Sequence, residues 1–134
     1  MAMQFSVDVR NARLDSIETT ISTLPILQLR TGAKPANCAA ASTGTLIAEM
    51  TLPSDWMSGA ASGVKGLSGV WSDPLANAGG VVAHFRVLES TGTDCKIQGT
   101  AGDVGTEDLV LTNATVVISE PISVTQFDIT DGNA

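Results

Sequence analysis

The residue with the clearest capacity for chemistry is His84, the only histidine, which lies in the segment VVAHFRVLES. A histidine acts as the base of a serine hydrolase when a nucleophilic hydroxyl and an orienting carboxylate lie beside it. The segments GLSGV and AASGV resemble a nucleophile elbow only loosely, because neither fits the G-x-S-x-G pattern. Arg86 follows on the same strand face, where its charge would weaken the imidazole as a base. We therefore expect a structural or solvent-facing His84 and keep a small hydrolase as the weakest hypothesis.

Carboxylates are numerous in the sequence, but their spacing is not specific to any chemistry. Glycoside cleavage needs two carboxylates across a cleft, and a calcium loop needs a fixed order of ligands. The glycine-rich segment GTAGDVGTED has neither the EF-hand order nor the dinucleotide motif G-x-G-x-x-G. Most of the acids flank turns, where Asp and Glu are common for local reasons. We predict no catalytic residue, no metal site and no cofactor. The candidate carboxylates are Glu49, Asp55, Glu89, Asp94, Asp103, Glu107 and Asp108.

The two cysteines, Cys38 and Cys95, are compatible with a disulfide only if the fold brings them together. In a reducing compartment we expect them to be free and to pack as small hydrophobic residues. Two cysteines without a second pair or a neighbouring histidine do not make a zinc site.

The segment PSDWMSGAASGVKGLSG is interpreted as a long loop, and the two tryptophans, Trp56 and Trp71, flank its Gly/Ser-rich part. Aromatic side chains on loops stack on sugars, anchor protein interfaces or close the end of a β-core. We favour core or interface, and we assign both tryptophans as partner contacts. Sugar stacking remains as the alternative.

The composition restricts the class of partner. The chain has 134 residues, a net charge of −7 and a pI near 4.3, so it lacks the basic surface that binds nucleic acid or an anionic membrane. No signal-peptide pattern and no apolar run long enough to span a membrane is present. Only 16% of residues are charged, against about 25% in an ordinary domain, which favours a protein that packs against others.

The first segment is predicted to be a helix over residues 6–22, begun by Ser6 as N-cap and closed before Pro25. Two apolar stripes share this helix. One stripe faces the body of the protein and the other a partner, unless its residues simply pack at a frayed end. The body-facing stripe contains Val7, Leu14, Ile17 and Ile21. The partner-facing stripe contains Phe5, Val9 and Ala12.

The remainder, about residues 26–131, is predicted to be a β-domain that forms a single domain with the helix over residues 1–134. Short alternating segments such as TLIAEMTL, VVAHFRVL and ISVTQFDIT are separated by turn signals. This pattern is typical of an antiparallel β-sandwich or barrel, and the lack of βαβ alternation predicts that there is no parallel sheet. The apolar phase of the last strand flips near Gln126, which predicts a β-bulge or a bend there.

The runs LQLRTGAKPANCAAASTGTLIAEMTLPSDW, VVAHFRVLESTGTDCKIQGTAG and SVTQFDITDGN resemble small proteins encoded among the virion structural genes of tailed bacteriophages. The similarity covers nearly the whole chain, including RNARLDSIET near its beginning. None of these strings is a catalytic signature. The resemblance implies a virion component without saying which one.

Together these observations predict a non-enzymatic virion protein, most specifically a head decoration (cement) protein. It would act as a homo-oligomer on the major capsid protein or other virion proteins, with no nucleic acid or membrane partner. A neck, tail or fibre-attachment protein is the first alternative. A host-surface carbohydrate-binding module that uses Trp56 and Trp71 is the second.

Overall fold

A computed structural model describes residues 3–132, which are mainly β-structure with one helix. The helix α1 (Val7–Ile21) begins and ends within one residue of the predicted bounds. The strands are β1 (Ile26–Arg30), β2 (Leu46–Thr51), β3 (Val64–Gly66), β4 (Ser72–Asp73), β5 (Gly80–Val81), β6 (His84–Leu88), β7 (Cys95–Gly102), β8 (Leu109–Leu111), β9 (Thr115–Val116) and β10 (Ile122–Thr130).

The main sheet has the strand order β2-β1-β6-β7-β8-β10-β3, with β4 also paired to β10, and it curls into a half-barrel. A separate two-stranded ribbon consists of β5 and β9. Within residues 3–132 the strand pairings are antiparallel except for a short parallel contact between β7 and β8, so the sheet is antiparallel as predicted, with one local exception. The reason is local. Asp108 accepts a hydrogen bond from the Thr100 backbone N–H at 2.9 Å, which brings the start of β8 back beside β7.

The core fills the concave side of the curled sheet and contains a chain of four aromatic rings. The Trp56 and Trp71 ring centroids are 6.0 Å apart, and the Trp71 and Phe127 centroids are 5.5 Å apart. Phe85 meets Phe127 edge-to-face at 5.4 Å. Offset and edge-to-face contacts of this kind add to the burial of large apolar surfaces, which is the main stabilising term in such a core.

The segment predicted as one long loop after β2 is instead built into the core. It contains β3, and Trp56 and Met57 are buried within it. Lys65 on β3 is only 1% exposed, and its ammonium lies 2.8 Å from carboxylate oxygens of both Asp15 and Glu18 on α1. A buried ammonium is tolerated only when it is paired in this way. Sequence patterning missed this strand because it is three residues long and carries a lysine at its buried position.

The helix packs on the sheet through the buried side chains of Leu14 and Ile21. Val7, expected on the same stripe, is 48% exposed, so the predicted body-facing stripe does not extend to the first residue of α1. Within residues 3–132, the structure has no helix long and apolar enough to cross a membrane.

Candidate functional site

A row of four polar residues crosses the face of the main sheet opposite the aromatic core. Glu49, Gln28, Arg86 and Gln98 lie in register on β2, β1, β6 and β7. The Gln28 amide donates to a Glu49 carboxylate oxygen at 2.7 Å. Arg86 is only 2% exposed and Gln28 only 8%, so the centre of this row is buried. The alternation of β6 predicted His84 and Arg86 on one face but gave no sign that this face would be covered.

The cover is the segment 32–44, here called the covering loop, which was predicted as a loop. Arg86 holds it through three hydrogen bonds, donated to the Ser42 hydroxyl at 2.8 Å and to the carbonyls of Cys38 and Ala40 at 2.8 and 3.0 Å. Gln98 donates to the Pro35 carbonyl at 2.8 Å. The buried guanidinium is thus solvated by loop carbonyls and a hydroxyl, since no carboxylate in the described range forms a salt bridge with it.

A polar cavity of about 690 Å³ opens between the covering loop and the β6–β7 turn. Arg30, Arg86, Ser42 and both cysteines are among the residues that line it. Burial lowers the pKa of Arg30, and the neighbouring charge of Arg86 lowers it further. Positive charge is therefore concentrated here in a chain whose net charge is −7.

His84 lies on the same polar face and is 1% exposed. It is therefore structural and not solvent-facing. Its Nδ1 lies 2.8 Å from the Gly32 carbonyl oxygen. Burial lowers the pKa of His84 and the Gly32 carbonyl opposes this, but the charges of Arg30, Arg86 and Lys34 lower it again. Because a carbonyl oxygen can only accept, Nδ1 carries a proton and donates it to the Gly32 carbonyl.

This hydrogen bonding does not match that of a triad base. In a serine triad one ring nitrogen meets a hydroxyl and the other a carboxylate. His84 Nε2 is buried without a hydrogen-bond partner in residues 3–132, as are Arg86 Nε and Gln98 Oε1. This one sheet face therefore holds three buried polar atoms that have no hydrogen-bond partner within residues 3–132, which is unusual for a protein interior.

The candidate carboxylates at the β7–β8 connection serve local backbone groups. Asp103 accepts from the Ala114 N–H at 2.9 Å, and Glu107 accepts from the Gly105 N–H at 3.0 Å. Asp108 binds both the backbone and the hydroxyl of Thr100. No group of three or more His, Cys, Asp or Glu side chains in residues 3–132 is arranged to hold a metal ion. These contacts agree with the interpretation of the segment as a turn.

The assignment of Trp56 and Trp71 as partner contacts is wrong for this structure. Their exposures are 0% and 1%, so neither indole face is open to a protein or a sugar. Trp56 Nε1 donates to the Ser22 carbonyl at 2.9 Å, and Trp71 Nε1 donates to the Ser68 carbonyl at 3.1 Å. Each polar end is satisfied inside the fold, which leaves the indoles as core residues, the other role weighed for them.

The helix residues predicted to face a partner fall into two groups. Phe5 is half-buried, and the Arg13 guanidinium lies 4.8 Å from its ring centroid. This cation–π contact covers part of the ring with the protein's own side chain. Val9 is 42% exposed and Ala12 is also exposed, so both are open to solvent. Contact with a partner stays a prediction for these residues.

A larger exposed apolar surface, here called the aliphatic patch, lies on and beside the β5–β9 ribbon. It consists of Leu75, Val81, Val117 and Ile118, whose exposures run from 57% to 66%. Gly80 pairs with Val116, and Ala76 forms backbone hydrogen bonds with Glu120 and Ser119, so the segments that carry these side chains lie side by side. The apolar segment TVVIS is typical of a buried strand, so the sequence did not indicate that Val117 and Ile118 would be exposed.

Comparison with known proteins does not add an identity to this geometry. The chain matches no protein-family model, no curated protein and no solved structure. Its function is therefore argued from the surfaces and contacts described above.

Proposed function

We propose that this chain is a non-enzymatic structural protein of a bacteriophage virion, most specifically a head decoration protein bound at junctions between capsid subunits. The observation that carries the proposal is the aliphatic patch, a group of four exposed large apolar side chains on adjacent segments. The direction toward a virion comes from the resemblance of the sequence to small phage structural proteins. A position in the neck or tail is the alternative within the same class.

The exposed side chains of the aliphatic patch are unfavourable in water, and their burial against a partner would contribute binding free energy. Contiguous exposed apolar surface is uncommon on monomeric proteins and marks an interaction site. Burial of apolar area contributes about 25 cal/mol per Å² before the ordering costs of association. A chain with only 16% charged residues also has few charges to desolvate when it docks. The patch is thus suited to cover an apolar seam of the major capsid protein, and a symmetric homo-oligomer would present several patches at once.

The other hypotheses have less support. A carbohydrate-binding module that uses Trp56 and Trp71 would need exposed indole faces, and both side chains are buried. A hydrolase that uses His84 would need a hydroxyl and a carboxylate at the ring, whereas its recorded hydrogen bond is to a backbone carbonyl.

The test of position is the copy number of this chain in purified particles of the encoding phage, measured by quantitative mass spectrometry against the major capsid protein. A decoration protein is expected at a fixed, high ratio to that protein because it follows the symmetry of the shell. A low ratio, as expected when only one ring of copies is present in each particle, would instead indicate a position in the neck or tail. Its absence from particles would refute the proposal.

The test of the surface uses rebinding of purified protein to particles that lack it. The double variant V117D/I118D is expected to lose most of its binding, since two charges in a desolvated seam are costly. The matched control is Val64→Asp, which changes a 39%-exposed valine on β3, a strand outside the ribbon. Circular dichroism checks that both variants fold. Normal binding by the folded double variant would show that the aliphatic patch is not the contact surface.

A further inference from the structure

The two cysteines meet at the rim of the polar cavity, although 57 residues separate them in sequence. Cys38 is on the covering loop and Cys95 begins β7. Their Sγ atoms are 3.2 Å apart. Both residues are partly exposed and both line the cavity, so a small reagent in solution has access to them.

We propose that Cys38 and Cys95 form a reversible intramolecular disulfide that locks the covering loop onto the sheet. The proposal goes beyond the proposed function and does not depend on it. A disulfide needs its sulfurs at about 2.05 Å, so a closure of roughly 1 Å from the thiol contact is sufficient. Cys38 lies on a loop, which can supply that movement more readily than a strand.

The chemistry is thiol–disulfide exchange with a small disulfide such as oxidised glutathione. One protein thiolate attacks a glutathione sulfur, breaks the S–S bond and releases one glutathione thiolate, which takes up a proton. The second protein thiolate then attacks the mixed disulfide and releases the second glutathione. The protein loses two electrons and two protons, and oxidised glutathione is reduced to two glutathione molecules. The atoms and electrons of the exchange therefore balance, and no other reactant is needed.

The environment of the pair sets the rate of this exchange. Burial, together with the hydrogen bond and charge of Cys95, raises the pKa of Cys38 to about 11. Because the thiolate is the attacking species, exchange that begins at Cys38 is slow near neutral pH and accelerates as the pH rises. Mildly alkaline pH therefore favours attack by Cys38 on oxidised glutathione.

The lock has a measurable consequence for stability. The reduced covering loop is held mainly by the hydrogen bonds from Arg86 and Gln98. A covalent link across 57 positions also restricts the unfolded chain. For a domain of this size we expect oxidation to raise the Tm by about 10 °C.

The experiment treats the full folded chain with oxidised glutathione at mildly alkaline pH and maps the product by mass spectrometry without reduction. The expected product has lost two hydrogen atoms, contains a peptide pair linked through Cys38 and Cys95, melts higher than the reduced protein, and reverts with dithiothreitol. Cys38→Ser and Cys95→Ser serve as matched controls and are expected to show no Tm increase. Disulfide-linked dimers, or stable glutathione adducts at both cysteines, would overturn the proposal. So would a linked product whose Tm equals that of the reduced chain, because its loop would not be locked.

Discussion

At the scale of single residues, the carboxylate of Glu89 organises the turn between β6 and β7. It accepts a hydrogen bond from the Thr91 hydroxyl and from the backbone N–H groups of Thr93 and Asp94 at 2.8 and 2.9 Å. These bonds favour the ionised form. The Thr91 bond is the largest of the causes that lower the pKa of Glu89 to about 2. The sequence STGTD predicted a turn here, but it did not show that the preceding glutamate closes it.

This pKa predicts a specific pH dependence. Since the folded-state pKa is lower than the unfolded one, the contribution of Glu89 to stability is fully present above about pH 5. It is lost as the pH falls toward 2, where the folded carboxyl takes up its proton. We expect the Glu89 carboxyl carbon to titrate near pH 2 by ¹³C NMR. Glu89→Gln should flatten the fall of unfolding free energy between pH 5 and pH 2. A midpoint near 4.5 would contradict the hydrogen bonding described here.

At the scale of elements, β7 is shaped by a glycine that makes room for an aromatic ring on the neighbouring strand. Gly99 pairs with Phe85 across the β6–β7 ladder. A Cβ at Gly99 would lie 2.8 Å from the Phe85 ring and 2.6 Å from the Asp108 carboxylate. Both distances are below normal van der Waals contact, so a side chain here must displace a ring of the aromatic core or the carboxylate that starts β8.

Gly99→Ala is therefore expected to destabilise the protein by about 1–3 kcal/mol, the usual range for overpacking. The matched control is Gly59→Ala, because a Cβ at Gly59 would meet no atom within 4 Å. The control should be neutral or slightly stabilising, since alanine has less conformational freedom in the unfolded chain. Urea denaturation of the two variants measures the difference. Equal free energies of unfolding would show that β7 relaxes around the added methyl group.

The elements also show what patterning along the chain can and cannot predict. The helix begins directly after Ser6 and ends before Pro25, as predicted, although the Ser6 side chain forms no capping hydrogen bond. The phase flip near Gln126 predicted a β-bulge or a bend, and the register of β10 with β8 does shift between Val124 and Gln126. By contrast, β3 depends on the pairing of Lys65 with carboxylates of α1. The parallel β7–β8 contact depends on the side chain of Asp108, which accepts a hydrogen bond from the Thr100 backbone across the turn. Neither feature leaves a periodic signal in the sequence.

At the scale of the whole molecule, the polar sheet face could be predicted only in part. Alternation indicated that His84 and Arg86 share a face. Their burial comes from the covering loop, more than 40 residues earlier in sequence, and no local pattern records that contact. The same holds for the two thiols, which sequence alone left either bonded or free. Contacts between residues that lie far apart in the sequence leave no local pattern, so the sequence alone does not predict them.

The helix is tied to the β-domain at several separate points, which determines how the molecule unfolds. Trp56 Nε1 donates to the Ser22 carbonyl just after α1, and Lys65 joins two carboxylates of the helix. Midway along α1, Arg13 forms a salt bridge with Asp131 at 3.2 Å. An isolated helix of 15 residues is marginal in water, so α1 depends on these contacts and on the burial of Ile21.

We therefore expect the isolated chain to unfold in one cooperative transition, with the helix already folded before any assembly. Tryptophan fluorescence, which reports the buried indoles, and far-UV circular dichroism at 222 nm, which reports mainly α1, should give the same urea midpoint. Ile21→Ala should lower both midpoints equally and cost about 2–5 kcal/mol, because it leaves a cavity between helix and sheet. Ala12→Ser, at an exposed helix position, is the control and should change little. An early loss of helical signal while fluorescence stays native would mean that α1 is an independent arm, and that its folding awaits a partner.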